Sequence, residues 1–146
     1  MLIPTRPLIA AESLGAGLPA QLVAEAIGHG LVAGGAPEPD LCPIAPDGAG
    51  SEALRTLLAE LDFDGRMRAA RMVVIAADRL QERALAESPT FEIATRARQA
   101  GVPAYVVARE SILQPFDARI LDLQVILQAA DVRALTAAGR KLAALL

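Results

Sequence analysis

The amino-acid sequence predicts a single-domain, three-layer α/β/α fold with a mainly parallel, Rossmann-like sheet. Three observations predict it. Four apolar runs of strand length recur along the chain, at Pro7–Ala11, Asp40–Ala45, Met72–Ala77 and Ala104–Ala108. Most are followed by a turn signal and then a helical pattern, the alternation that builds parallel βαβ units. Finally, 146 residues, 53% hydrophobic and 21% charged, are enough for one sizeable core and rule out wholesale disorder.

The first run ends in Glu12-Ser13, and a loop with Gly15 and Gly17 leads to Pro19. Proline suits the first helical position because no backbone N–H is needed there. Leu22, Val23, Ala26, Ile27, Gly30 and Leu31 then form a buried stripe, and Gly34-Gly35 ends the helix. The second run is followed by the turn Pro46–Gly50. Ser51 is a good N-cap for a helix whose stripe is Leu54, Leu57, Leu58 and Leu61. Residues 62–71, with Gly65, Arg66, Arg68 and Arg71, read as a polar, solvated linker.

The third run, MVVIAA, is continuous and rich in β-branched residues, as expected for a strand covered on both faces. Asp78 follows it, then a short helical piece near Leu80–Ala86. Ser88-Pro89 opens a helix that Gly101 stops. The fourth run ends in Arg109-Glu110. After it, Phe116–Gln128 holds a further strand-like or short helical stretch. Asp131 caps a last helix with its stripe at Val132, Leu135, Leu142, Leu145 and Leu146.

Composition narrows the setting. No apolar run approaches the ~18–20 residues of a membrane helix, and the opening MLIPTRPLIAAES carries no signal-peptide cleavage pattern. A net charge of −3 argues against a nucleic-acid surface. The one cysteine, Cys42, excludes an internal disulfide, and the one histidine, His29, excludes a histidine metal cage. The expected home is the cytoplasm and the expected partner a small molecule, not nucleic acid or membrane. Cys42 reads as a core hydrophobe and His29 as a partly solvated helix residue.

In an open α/β sheet, ligands bind beyond the carboxyl ends of the strands, near a topological switch point. Every candidate strand here is followed by a carboxylate: Glu12, Asp47, Asp78 and Glu110. Such acids can hold Mg²⁺ or act as a base toward a hydroxyl, and they are also ordinary turn residues. Glu12, Ser13, Asp47 and Asp78 are the catalytic candidates. Gly48, Gly50 and Ser51, in a glycine loop entering a helix, and Arg79 are candidates for binding substrate or phosphate. That loop matches neither common phosphate-binding pattern, so a plain turn is the other reading.

The order of these pieces resembles the glycerate kinase family. That family opens with a strand ending in an Asp-Ser-Phe-Lys-like motif and a Val-Ala-Glu-Ala-Ile helix. Here Ala11-Glu12-Ser13-Leu14-Gly15 precedes Val23-Ala24-Glu25-Ala26-Ile27. Its Pro-x-Ala-Asp-Gly-Gly-Glu-Gly-Thr signature is similar to the stretch from Pro43 to Ser51. Its late Gly-Glu-Gly-Arg-Leu-Asp signature and proline-started helix resemble Asp78-Arg79-Leu80-Gln81 and Ser88-Pro89. The family has a large inserted domain where this chain has only residues 62–71.

Departures from the family pattern carry as much information. Gly15 stands where the family has lysine, ungapped alignment puts Pro46 and Ala49 at two of its acidic positions (a one-residue slip restores Asp47), and Gln81 replaces an aspartate. The lysine before the proline helix is absent, and Lys141, the only lysine, lies on the last helix. The resemblance therefore implies a truncated, degenerate member: a small-ligand binding or regulatory module without full kinase activity. The alternative is an active ATP- and Mg²⁺-dependent kinase of glycerate or a similar hydroxy acid, completed by an oligomer or partner. Loss of the inserted domain also raises the expectation of a homodimer, through apolar surface exposed around the linker.

Overall fold

A computed structural model describes residues 5–45, 51–80, 88–112, 118–119 and 121–146. The turn at 46–50 and the piece predicted near Leu80–Ala86 lie, but for Leu80, outside the described residues. In chain order the elements are β1 (Arg6–Ala11), α1 (Ala20–Ala33), β2 (Asp40–Pro43), α2 (Ser51–Glu60), α3 (Phe63–Arg68) and β3 (Ala70–Leu80). These are followed by α4 (Pro89–Ala100), β4 (Ala104–Ser111), β5 (Leu123–Gln128) and α5 (Val132–Ala143).

All five strands are parallel, in the order β2-β1-β3-β4-β5. This is one of the two common doubly wound orders. Strand alternation sends Leu8 and Ala10 of β1, and Val73, Ile75 and Ala77 of β3, into a core with α2, α3 and α4. The intervening Ile9, Ala11, Met72, Val74 and Ala76 enter a second core with α1 and α5. The sheet is thus apolar on both faces, which is why its central strands read as unbroken apolar runs.

On the second face, α1 and α5 meet backbone to backbone. A Cβ on Gly30 would strike the Thr136 carbonyl oxygen and lie 2.9 Å from Gly139 Cα. A Cβ on Gly139 would strike the Ile27 carbonyl oxygen and lie 2.9 Å from Gly30 Cα. Glycine is required at both positions because there is no room for a side chain between the helices.

Several expectations are corrected. Residues 62–71 are not a solvated linker: Phe63–Arg68 form a helix whose Phe63 and Met67 are buried. Arg66 grips Asp40 at the start of β2 through Nε–Oδ2 at 2.9 Å and Nη2–Oδ1 at 2.6 Å, and donates to the Leu41 carbonyl at 2.8 Å. Arg68 and Arg71 are exposed as expected. None of the large exposed hydrophobic residues lies at 62–71, so the surface invoked for a dimer is absent there among the described residues. Leu22, Val32, Val132 and Leu145 are exposed, which removes Leu22, Val132 and Leu145 from the predicted stripes. Strands β3 and β4 run three residues past their predicted ends, so Asp78 and Glu110 belong to strands instead of following them.

The helix boundaries follow their sequence signals. Ser88 caps α4 by accepting the Phe91 N–H at 3.1 Å, and Gly101 ends it with φ 71°. Asp131 caps α5 by accepting the Ala134 N–H at 2.8 Å. Pro19 sits one place earlier than predicted, at the N-cap of α1.

Candidate functional site

The connections after β1 and β3 leave on opposite faces of the sheet, to α1 and to α4. The carboxyl ends of these adjacent strands are therefore the switch point. Glu12, Ser13, Asp78 and Arg79, four of the predicted residues, stand at this end. Asp47, Gly48 and Gly50 lie outside the described residues, and Ser51 opens α2.

The backbone after β1 stays beside β3, with the Glu12 N–H donating to the Ala76 carbonyl at 3.0 Å. The chain then makes a tight loop closed by the Leu14 N–H on the Leu18 carbonyl at 2.8 Å. At its start Gly15 adopts φ +60°, and its N–H donates to Asp78 Oδ1 at 2.8 Å. The same Oδ1 accepts Arg109 Nε at 2.6 Å, and Arg109 Nη2 reaches Oδ2 at 3.4 Å. Asp78 thus ties the loop after β1, β3 and β4 together. The left-handed backbone at Gly15 is one that glycine adopts without the steric cost a side chain would bring.

Arg79 turns the other way. It pairs with Glu110 through Nε at 3.1 Å and Nη2 at 3.0 Å. In the parallel register Arg79 sits opposite Glu110, in line with Val73, Ile75 and Ala77. Asp78 and Arg109 instead continue the alternation of Met72, Val74, Ala76 and Val107. The two arginines therefore leave the sheet on opposite faces, each against a carboxylate of the adjoining strand.

Electrostatics separate the two switch-point acids. The Asp78 carboxyl is held below the usual range, chiefly by the Arg109 hydrogen bond and also by the Gly15 N–H. Glu12 is half-buried, and its carboxyl is pushed up to about 7, first by burial and then by the charge of Asp78. At neutral pH Asp78 is a fixed anion, while Glu12 can take or release a proton. Ser13, beside it, is exposed.

The donor set fits Mg²⁺ poorly. Oδ1 of Asp78 already accepts two hydrogen bonds, and among the described residues no three His, Cys, Asp or Glu converge on one point. His29 lies exposed on α1. Cys42 is buried in β2 with its thiol pushed up by burial, as a core cysteine should be.

Arg109 is the residue sequence reasoning missed. It was visible as the first half of Arg109-Glu110, but its role depends on β4 continuing beyond Ala108 in register with β3. No family model, curated protein or solved structure matches the chain. Among the described residues, no helix is long and apolar enough to cross a membrane.

Proposed function

We propose that this chain is a glycerate kinase-like scaffold that binds a small hydroxylated ligand at the ends of β1 and β3 and does not transfer phosphoryl groups. The observation that carries this reading is the pairing of Arg109 with Asp78 and of Arg79 with Glu110, on opposite faces of the sheet. Phosphoryl transfer depends on positive charge converging on the transferring group. Here both cations are turned apart and neutralised. What is left is a fixed anion, a protonatable carboxyl and the exposed Ser13, a set suited to hydroxyl groups more than to polyphosphate.

The second reading, a kinase completed by a second subunit, draws on one feature. Glu12 titrates near neutrality and suits a base that removes a proton from a substrate hydroxyl. Two measurements separate the readings. A thermal-shift series with small polyols, glycerate, related hydroxy acids and Mg²⁺-ATP is expected to raise the melting temperature with a hydroxylated ligand and not with ATP. A ligand that binds only the folded state must do so. ADP released from ATP and glycerate at high protein concentration overturns the non-catalytic reading, and indifference to every hydroxylated ligand overturns the binding reading.

A further inference from the structure

The two edges of the sheet are built differently, and only one is defended. Edge strands leave unpaired N–H and C=O groups that other strands can join, and proteins blunt them with short length, proline or charge. β2 uses all three: it has four residues, ends in Pro43, follows Pro39, and carries Asp40 locked to Arg66. β5 uses none of these three, its one irregularity being a register shift against β4 between Leu123 and Ile126, ahead of the regular stretch Ile126–Gln128. Its six residues, LQVILQ, hold no charge and no proline, with Val125, Ile126 and Leu127 all half-buried and Gln124 and Gln128 exposed.

The register says which groups face outward. Ala108 pairs with Gln128 and Val106 with Ile126, and the Ala129 N–H donates to the Ala108 carbonyl at 2.9 Å. In a parallel ladder the N–H and C=O of one residue point the same way and alternate along the strand. Ile126 and Gln128 therefore direct both groups away from β4, and no described residue meets them.

We propose that β5 is a self-pairing edge, joining two copies of this chain through antiparallel β5 strands into one ten-stranded sheet. A two-fold axis lets the outward groups of Ile126 and Gln128 be satisfied by the same groups of the second copy, as an isologous contact requires. A strand free of charge brings no like charges face to face when it meets itself. The blocked β2 edge prevents head-to-tail addition, so the assembly closes at two copies. One strand pair buries less than a standard interface, so the dimer is weak and concentration-dependent.

Sedimentation of the full chain over about a hundredfold range of concentration is expected to show a reversible monomer–dimer equilibrium. Gln128→Pro removes one outward N–H and Gln128→Lys places charge on the edge. Both are expected to weaken the dimer by at least about tenfold while leaving the melting temperature of dilute, monomeric protein unchanged. Amide exchange at Ile126 and Gln128 is expected to slow as concentration rises. A chain that stays monomeric throughout overturns the proposal. So does a dimer indifferent to Gln128→Lys, or protection of these amides that does not change with concentration. A monomer that takes up an extended peptide along β5 overturns the second copy as occupant.

Discussion

The contact between α1 and α5 and the rim at the ends of β1, β3 and β4 are held together by opposite means. Between the helices the backbones touch at Gly30 and Gly139, leaving no space for an added methyl group. At the rim, charged side chains that are a third to a half exposed reach across strand ends to one another. Close packing of backbone resists any change of volume. Exposed ion pairs add little stability, and their partners are mobile enough to be redirected. Stability is thus concentrated in one place and adaptable chemistry in another, as expected where a rigid scaffold presents a binding site.

The sharpest way to break this contrast is to add one methyl group. In Gly139→Ala the new Cβ runs into the Ile27 carbonyl, so the helices must separate. The expected loss is about 3 kcal/mol or more, a fall in melting temperature of roughly 10 °C. Gly17→Ala is the control: its Cβ meets nothing within 4 Å, and the change is expected to fall within ±0.5 kcal/mol. Equal losses in calorimetry would show that the contact of α1 with α5 is not special.

The next effect comes from Glu12 and depends on pH. Its folded carboxyl titrates at about 7, against an ordinary value of 4.5. Between those values the folded chain holds a proton that the unfolded chain has released, so stability falls as pH rises through the window. Glu12→Gln keeps the neutral form at every pH. The variant is expected to match the parent at about pH 4 and to exceed it by up to ~3 kcal/mol at about pH 8. Denaturant titrations at the two pH values check this, and a difference that does not vary with pH refutes it. Stability gained by removing a rim carboxylate would mark Glu12 as a residue kept at a cost, as site residues often are.

How much of this was legible in the sequence differs between the same two regions. Apolar runs placed four of the five strands: β1, β3 and β4 because central strands buried on both faces show no alternation to confuse them, and the edge strand β2 by its short apolar run alone. Ser88, Gly101 and Asp131 placed helix ends because capping is local chemistry. The helix at Phe63–Arg68 was missed because Asp64, Gly65 and its two arginines outweigh its two apolar anchors, and Arg66 finds its partner 26 residues away. Gly30 was legible as part of a buried stripe and Gly139 carried no signal; that the two meet was not legible, since a close approach between helices leaves no mark in either one alone. At the rim, Glu12 and Asp78 were legible as acids ending strands. The Asp78–Arg109 bond was not, because it exists only through the register of β3 on β4.

The smallest effect tests whether the two rim pairs are equivalent. Both side chains of the Arg79–Glu110 pair are about half exposed, at 50% and 44%. Arg79→Ala is expected to change stability by no more than ~0.5 kcal/mol. Arg109 differs in kind, because the Asp78 it neutralises also holds the Gly15 N–H. Without Arg109, Asp78 loses the chief cause of its low pKa, and the Gly15 N–H is left on a carboxylate that no longer has its guanidinium partner. Arg109→Ala is therefore expected to speed amide exchange at Gly15 and abolish the ligand-induced rise in melting temperature, whereas Arg79→Ala preserves both. If the two variants behave alike in exchange and in ligand response, Asp78 is not the hub of the site. The case for a site at the switch point would then rest on the sheet topology and Glu12.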